Sequence, residues 1–257
     1  TQGPIPLWSR GNPDTANGLP GGAANGTADE KDVHYRGMGQ TWSIPVVAYV
    51  GGQTFYETAR RSTRAGCTPT SGSGCPVDHV LFMGSGYGDT ADEGTRFYTL
   101  DALTGDVVAS VDVESVAGTY GLTRSPAPLD QKGQPYRNAI VANPAGFNPK
   151  VFSLLTTVHP AASQVTRVYV GDVYGRVWKF LTERPDVPIP VADLGVDQPV
   201  GTAASLLGMP PQPDTPQPYV FVTSGADGRQ DGPFKIFGFW DTGDDVYSNP
   251  PTTGENT

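Results

Sequence analysis

The chain has 257 residues, of which 33 are glycine and 25 are proline, and only 17% are charged. Glycine and proline are the two weakest helix formers, so this composition excludes a helical bundle. Hydrophobic residues make up 37% of the chain and can fill a core, which excludes a fully disordered polypeptide. We therefore expect a turn-rich, all-β protein.

The net charge of −9 argues against a nucleic-acid partner, because such binding requires a concentrated basic surface. The only basic cluster is Arg60, Arg61 and Arg64. No run approaches the roughly 18 apolar residues that cross a bilayer, so we expect no membrane span in this segment. Because Thr1 is not an initiator methionine, we expect the chain to be cut from a longer protein.

The first predicted strands are four short runs rich in β-branched and aromatic residues. They cover residues 41–50, 80–86, 96–100 and 107–113. Runs of this length joined by turns are typical of an antiparallel meander. The turn before the fourth run has a defined chemistry, since Asp101 can accept backbone N–H bonds and Gly105 can adopt a positive φ.

Two cysteines, Cys67 and Cys75, lie in the segment between the first two runs. Every residue between them is small, polar or turn-forming, so the loop can close on itself. We expect a local disulfide, which implies an oxidising, extracytoplasmic compartment. Such a short ring would stabilise the fold by about 2–3 kcal/mol. A redox pair, a haem attachment site or a zinc site would need cysteine and histidine spacings that the chain lacks.

The series of runs then repeats twice. Each copy has a strand rich in small residues or proline, an apolar strand ending near glycine, and an aromatic strand. The second copy covers 122–129, 167–172 and 176–180, and the third covers 200–205, 219–225 and 234–239. Repeated meanders are typical of a β-propeller with four-stranded blades.

We place the blades at about 41–118, 119–197 and 198–245 and expect long loop insertions between their strands. Residues 1–40 would be the end of a preceding blade plus a long loop, and residues 246–257 would be a tail. This number of blades is too small to close most propellers, so we expect a partial propeller or a fragment.

Several strings, in order, resemble the C-terminal propeller of the PilY-type biogenesis and tip-associated proteins of type IV pili. The most specific is Gly171-Asp172-x-x-Gly175-x-Val177-Trp178-Lys179-Phe180, and the others are Gln40–Val47, Val80–Tyr87, Phe97–Gly105 and Gly121–Asp130. The matches span residues 40–240. The leucine-aspartate-alanine-x-threonine-glycine element is less specific, because quinoprotein-type propellers use similar repeats.

The resemblance implies a non-enzymatic module that is exported through the periplasm and works at the cell surface or pilus tip. It would support pilus assembly, adhesion and surface motility through contacts with minor pilins or other tip proteins, and with a host or surface ligand. Two alternatives stay open, namely a fragment of a periplasmic quinoprotein-type dehydrogenase and a secreted propeller that binds glycans or small solutes.

Members of this family often carry a calcium loop after the strand that contains serine and proline. Here Asp130 matches its first position and Asn138 could supply an oxygen at its ninth, but Lys132 occupies the third. An ammonium group cannot ligate Ca²⁺, which takes six to eight oxygens. We therefore expect a solvated turn in preference to a calcium site, and we expect no other cofactor.

Catalytic motifs are absent from the sequence, and its three histidines, His34, His79 and His159, lie far apart. We therefore expect a protein that binds and does not catalyse. The four tryptophans are expected to pack between blades; they are Trp8, Trp42, Trp178 and Trp240.

Overall fold

The computed structural model describes residues 7–12, 32–50, 79–88, 93–129, 133–149, 164–208, 217–225 and 234–243. These residues form eleven β-strands in three antiparallel sheets, one short α-helix and two short 3₁₀ helices. The prediction of an all-β chain is confirmed. Within these ranges, no helix has the length and apolar character needed to cross a membrane.

The first sheet has four strands in chain order, each antiparallel to the next. They are β1 (Val46–Tyr49), β2 (His79–Gly84), β3 (Arg96–Asp101) and β4 (Val107–Asp112). Helix α1 (Val113–Ala117) follows directly, and the Asp112 carboxylate caps it by accepting the N–H of Glu114 at 2.9 Å. An aspartate at this position satisfies backbone donors that would otherwise lack partners.

The middle and third sheets follow the same antiparallel order along the chain. The middle sheet consists of β5 (Ala145–Phe147), β6 (Arg167–Gly171), β7 (Arg176–Leu181) and β8 (Arg184–Asp193). The third sheet consists of β9 (Ser205–Gly208), β10 (Pro218–Thr223) and β11 (Ile236–Trp240).

The opening strands of the second and third copies lie later in the chain than the sequence predicts. Residues 122–129 form no strand, and β5 lies between the predicted strands 122–129 and 167–172, where we expected a loop insertion. In the third copy, β9 starts only at Ser205, the last residue of the predicted strand.

Strand β8 was not predicted, because it carries Pro185, Pro188 and Pro190. It lies at the edge of the middle sheet, next to β7 only. Proline is tolerated on an edge strand because no neighbour requires its missing N–H.

The three sheets pack face to face in chain order. The core between the first and middle sheets includes Phe82, Phe97, Trp178 and Phe180, and the Phe97 and Phe180 rings stack with centroids 4.1 Å apart. A second core joins the middle and third sheets through Tyr169, Val177, Val220 and Val222, among others. In addition, the opening strands lie side by side, because β1 contacts β5 and β5 contacts β9.

The far face of the first sheet is covered by residues that we expected to lie in a long loop. Tyr35 and Met38 pack with Met83, Tyr98 and Leu100 in a separate buried cluster. Trp8 packs against the same cluster, and its Nε1–H donates to the carbonyl of Ala102 at 3.1 Å. The blade boundaries themselves stay a prediction.

Candidate functional site

A cleft of 520 Å³ lies at the end of the sheets where β1, β5 and β9 begin. Segments next to the strands of all three sheets form its walls. The described residues that line it are Trp42, Tyr87, Val141, Asn143, Gly201, Thr202, Gly225 and Phe234. This cleft is the candidate binding site.

Two of the segments that form the cleft pack closely against a glycine of the preceding sheet. The segment before β5 passes Gly84 so closely that an added Cβ there would lie 2.2 Å from the carbonyl oxygen of Ile140. At Gly171, an added Cβ would lie 2.2 Å from a methyl carbon of Val200, which precedes β9. The glycines that end β2 and β6 therefore allow these segments to reach the cleft.

The wall between the first and middle sheets is held by side-chain hydrogen bonds. The N–H of Ile44 donates to Oδ1 of Asn143 at 2.6 Å, and the Ser43 hydroxyl donates to the carbonyl of Ala142 at 3.0 Å. The same hydroxyl oxygen accepts the N–H of Gly84 at 3.1 Å. This wall is therefore fixed before any ligand arrives, which lowers the entropic cost of binding.

The described residues of the lining include aromatic rings and carry no charge. Trp42 and Phe234 are 70% and 46% exposed, and Tyr87 adds a third ring. The polar side-chain groups of the described lining are the amide of Asn143 and the hydroxyls of Thr202 and Tyr87. Large rings with a few polar groups suit an uncharged ligand or the neutral surface of a protein.

The prediction that the four tryptophans pack between blades is wrong for Trp42 and Trp240, and for Trp8 it stays a prediction, because Trp8 packs on the far face of the first sheet and not between two of the described sheets. Trp178 is fully buried and Trp8 packs under the first sheet, but Trp42 and Trp240 are 70% and 52% exposed. Trp42 precedes β1 and faces the cleft, whereas Trp240 lies on the third sheet's outer face.

The glycine-aspartate string at residues 171–175 forms a buried turn between β6 and β7. Oδ1 of Asp172 accepts the N–H of Arg176 at 3.0 Å, and Oδ2 accepts Nε1–H of Trp178 at 2.8 Å and Nε–H of Arg176 at 2.7 Å. Gly175 has a φ of +80°, which favours glycine. The string therefore specifies a turn that fixes the indole at the start of β7.

Arg176 joins this turn to the first sheet. Its Nη2–H donates to the Glu114 carboxylate at 2.5 Å, and its Nη1–H donates to the carbonyl of Leu122 at 3.2 Å. Burial alone would lower the pKa of Arg176, but the carboxylates of Asp172 and Glu114 raise the pKa above its ordinary value. The guanidinium therefore stays charged although it is fully buried.

A second buried ion pair was missed in the sequence. Nζ of Lys179 lies 3.0 Å from Oδ1 of Asp241, and Oδ2 of Asp241 accepts the hydroxyl of Tyr169. Burial, reinforced by the Asp241 charge, raises the pKa of Tyr169. The one sequence feature that pointed to this ion pair is that the apolar run of β7 carries two basic residues, Arg176 and Lys179, on opposite faces of the strand.

The hydrogen bond by which Asp172 closes the β6–β7 hairpin, here called a hairpin closure, has a counterpart in each of the other two sheets. Oγ of Ser85 accepts the N–H of Arg96 at 2.9 Å, and Oγ of Ser224 accepts the N–H of Lys235 at 2.7 Å. In each sheet, the side-chain oxygen of the residue that follows the second strand accepts the backbone N–H of a basic residue. That basic residue begins the third strand or directly precedes it. These positions give a residue-by-residue alignment of the three sheets.

Three other predicted site residues, Asp101, Gly105 and Asn138, lie in turns or loops between strands. Oδ1 of Asp101 accepts the N–H of Leu103 at 2.7 Å, and Gly105 has a φ of +69°. Oδ1 of Asn138 accepts the N–H of Tyr174 at 3.1 Å, while its amide donates to Asp172 at 3.2 Å.

Three residues of the predicted sites lie outside the described residues, namely Asp130, Cys67 and Cys75. No cluster of histidine, cysteine, aspartate and glutamate able to hold a metal occurs in the described ranges. The disulfide, and the solvated turn that we expect at Asp130 in preference to a calcium site, therefore stay predictions.

Comparisons with known proteins give a distant likeness among solved structures, of which two chains match. No family model and no curated protein matches the chain. Among solved structures, the Pseudomonas aeruginosa PilY1 C-terminal domain is similar at 16% identity with a TM-score of 0.47. The match covers 80% of this chain and 38% of that one, so the chain spans about two fifths of the solved domain.

Proposed function

We propose that the chain is a non-enzymatic binding module of a cell-surface or pilus-tip protein. It would support type IV pilus assembly, adhesion and surface motility through contacts with minor pilins or other tip proteins, and with a host or surface ligand. The observation that carries the proposal is the aromatic, uncharged lining of the cleft, with Trp42 and Phe234 presented to solvent. The strings that resemble the PilY-type family supply the pilus context.

Within this proposal, the three sheets are consecutive blades of a quinoprotein-like β-propeller. Three observations support the arrangement: the sheets stack in chain order, their opening strands lie side by side, and the hairpin closures at Ser85, Asp172 and Ser224 align. The opening strands β1, β5 and β9 would then be the inner strands around a common axis.

The experiment replaces Trp42 and Phe234 together with alanine in the bacterium that encodes the chain. We expect normal export and surface level, at least about tenfold weaker binding to the purified minor pilins of that bacterium, and reduced twitching. Leu103→Ala, which removes an apolar side chain that is also half-exposed but lies on the β3–β4 turn, is the matched control. Unchanged pilin binding and motility in the double variant would overturn the proposal.

A secreted glycan- or solute-binding propeller is a second candidate, because an aromatic cleft whose described residues offer an amide and two hydroxyls also suits a neutral sugar. Glycan-array binding that depends on Trp42, in a chain that does not bind minor pilins, would favour it. The dehydrogenase alternative requires a bound quinone, and we expect no dye-linked alcohol oxidation by the purified protein.

A further inference from the structure

Two side chains on the lining of the cleft carry hydrogen-bond donors that the protein itself does not use. Oδ1 of Asn143 accepts the N–H of Ile44 at 2.6 Å, and a backbone N–H can only donate, so the oxygen of this amide must face Ile44. The Nδ2 group of Asn143 is therefore left for a ligand. The indole Nε1–H of Trp42 makes no hydrogen bond to the described residues either, and its side chain is largely exposed.

Strong acceptors are missing from the same surface. No carboxylate occurs among the described lining residues, and a carboxylate is the acceptor that bonds N–H and O–H groups most strongly. The hydroxyl of Thr202 is already bonded to the hydroxyl of Thr223 at 2.8 Å. The described part of the cleft therefore offers a ligand aromatic surface and free donors.

This lining favours a ligand that brings acceptors and few donors. A ligand N–H or O–H that is buried without an acceptor costs free energy. Every hydroxyl of a neutral sugar carries such a donor, and so does every residue of a peptide backbone except proline. A prolyl residue has a carbonyl acceptor, no N–H, and an apolar ring that packs on aromatic side chains.

We propose that the cleft binds a proline-rich segment of a partner protein in the polyproline II conformation. Its rings pack on Trp42, Tyr87 and Phe234, while Nδ2 of Asn143 and Nε1 of Trp42 donate to its carbonyl groups. The polyproline II helix is already formed in the free segment, so binding loses little conformational entropy. The proposal rests on the proposed function, since it names the class of protein segment that the cleft recognises.

The chain contains a proline-rich run of its own, residues 209–216, which lies outside the described residues. This run joins β9 to β10 at the end of the third sheet where Pro218 lies. The chain also leaves β11 at that end, because the N–H of Asp241 donates to the carbonyl of Pro218. Thr202 and Gly225, which line the cleft, lie at the opposite end of these strands, so the proposed occupant is a segment of another protein.

The probe is a phage-displayed library of random short peptides, followed by synthesis of the most enriched peptide, which we expect to be rich in proline. Trp42→Phe keeps an aromatic ring but removes the indole N–H, so the Kd should weaken about tenfold. Asn143→Asp keeps an oxygen for the N–H of Ile44 but removes the donor, and a loss at least as large is expected. The matched control is Trp240→Phe, the same change at an exposed tryptophan outside the cleft, with a Kd within about twofold of the parent value.

The indole N–H resonances in NMR spectra give a readout that does not depend on the affinities. The indoles of Trp8 and Trp178 are bonded within the protein. The Trp42 resonance, assigned with Trp42→Phe, should exchange rapidly with solvent in the isolated chain and shift when the peptide is added, while that of Trp240 stays in place. Slow exchange at Trp42 before the peptide is added would mean that the chain fills its own cleft, and would overturn the proposal.

Three further results would also overturn it. They are enrichment of peptides without proline, equal binding to the parent and to Trp42→Phe, and binding of a neutral glycan at the cleft when no proline-rich peptide binds.

The two proposals can fail separately. If no proline-rich peptide binds but the Trp42 and Phe234 variant loses minor-pilin binding, the ligand class is wrong and the proposed function stands. If a proline-rich peptide binds through Trp42 and Asn143 but pilus assembly and twitching do not depend on the chain, the ligand class stands and the proposed function is wrong.

Discussion

Arg176 and Lys179 lie three residues apart on β7 and form ion pairs with opposite neighbours. Arg176 pairs with Glu114 of the first sheet's helix α1, and Lys179 pairs with Asp241 after β11. Residues separated by an odd number point to opposite faces of a strand. The middle sheet is therefore joined to each neighbouring sheet by an ion pair in addition to its apolar contacts; the pair with Asp241 is buried, and the pair with Glu114 is partly exposed.

Replacing Arg176 with methionine should lower the free energy of unfolding by about 3–5 kcal/mol, because it leaves the buried Asp172 carboxylate without its cation. The matched control is Arg124→Met. Arg124 pairs with Asp193 at a partly exposed site, so the expected loss there is about 0–1 kcal/mol. Urea unfolding followed by tryptophan fluorescence measures both, and equal losses would contradict the special role of Arg176.

A double-mutant cycle on Lys179 and Asp241 tests the second ion pair. Each single change, Lys179→Met or Asp241→Asn, leaves one buried polar group without its charged partner. The double variant should therefore lose less stability than the sum of the singles, by about 1–3 kcal/mol. Additive losses would show that the two residues are not coupled across the sheets.

Trp178→Ala should cost about 3–5 kcal/mol of stability, because a fully buried indole between two sheets is replaced by a cavity. Trp240→Ala removes the same side chain from an exposed position, and we expect a loss below about 0.5 kcal/mol. Thermal and urea unfolding distinguish the two. A small effect at Trp178 would refute its place in the core.

Gly175→Ala should destabilise the protein more than Gly121→Ala. Both glycines have positive φ values, +80° and +70°, so each substitution costs about 1–2 kcal/mol in backbone strain. Only at Gly175 would the new Cβ also lie 2.1 Å from the carbonyl oxygen of Gly195, whereas Gly121 has open space. Unfolding midpoints within error of one another would show that the turn relaxes freely.

Stability should fall between about pH 10 and pH 12 because of buried tyrosines. Burial raises the pKa of Tyr98 to about 12, although the nearby Arg96 opposes this shift. A raised folded-state pKa means that the contribution is complete below the unfolded pKa near 10 and is lost as pH rises through the folded value.

The measurement is urea unfolding at a series of pH values for the parent and for Tyr98→Phe. The parent should lose about 2–3 kcal/mol more than the variant across this range. Parallel curves would show that Tyr98 does not contribute to the pH dependence.

Composition and run length were sufficient to predict the all-β class and most of the strands. The runs predicted near residues 80, 96, 107, 167, 176, 219 and 234 all contain the observed strands or overlap them. In these strands, apolar residues either alternate with polar ones or form a continuous run over five or six positions. Local backbone preference and the burial of these residues therefore both favour a strand. The turn at Asp101 and Gly105 was predictable for the same reason, since its hydrogen bonds are local.

The opening strands, the ion pairs and the cleft depended on tertiary structure. Strands β5 and β9 are short, and β8 contains three prolines that only an edge position tolerates. The run Arg176–Leu181 is buried on both faces, so its periodicity does not tell which neighbour each side chain meets. Glu114 and Asp241 reach their partners across more than sixty residues of chain, and such pairings arise only when sheets stack. Local preferences therefore determined the strands, and the stacking of the sheets decided what each strand contacts.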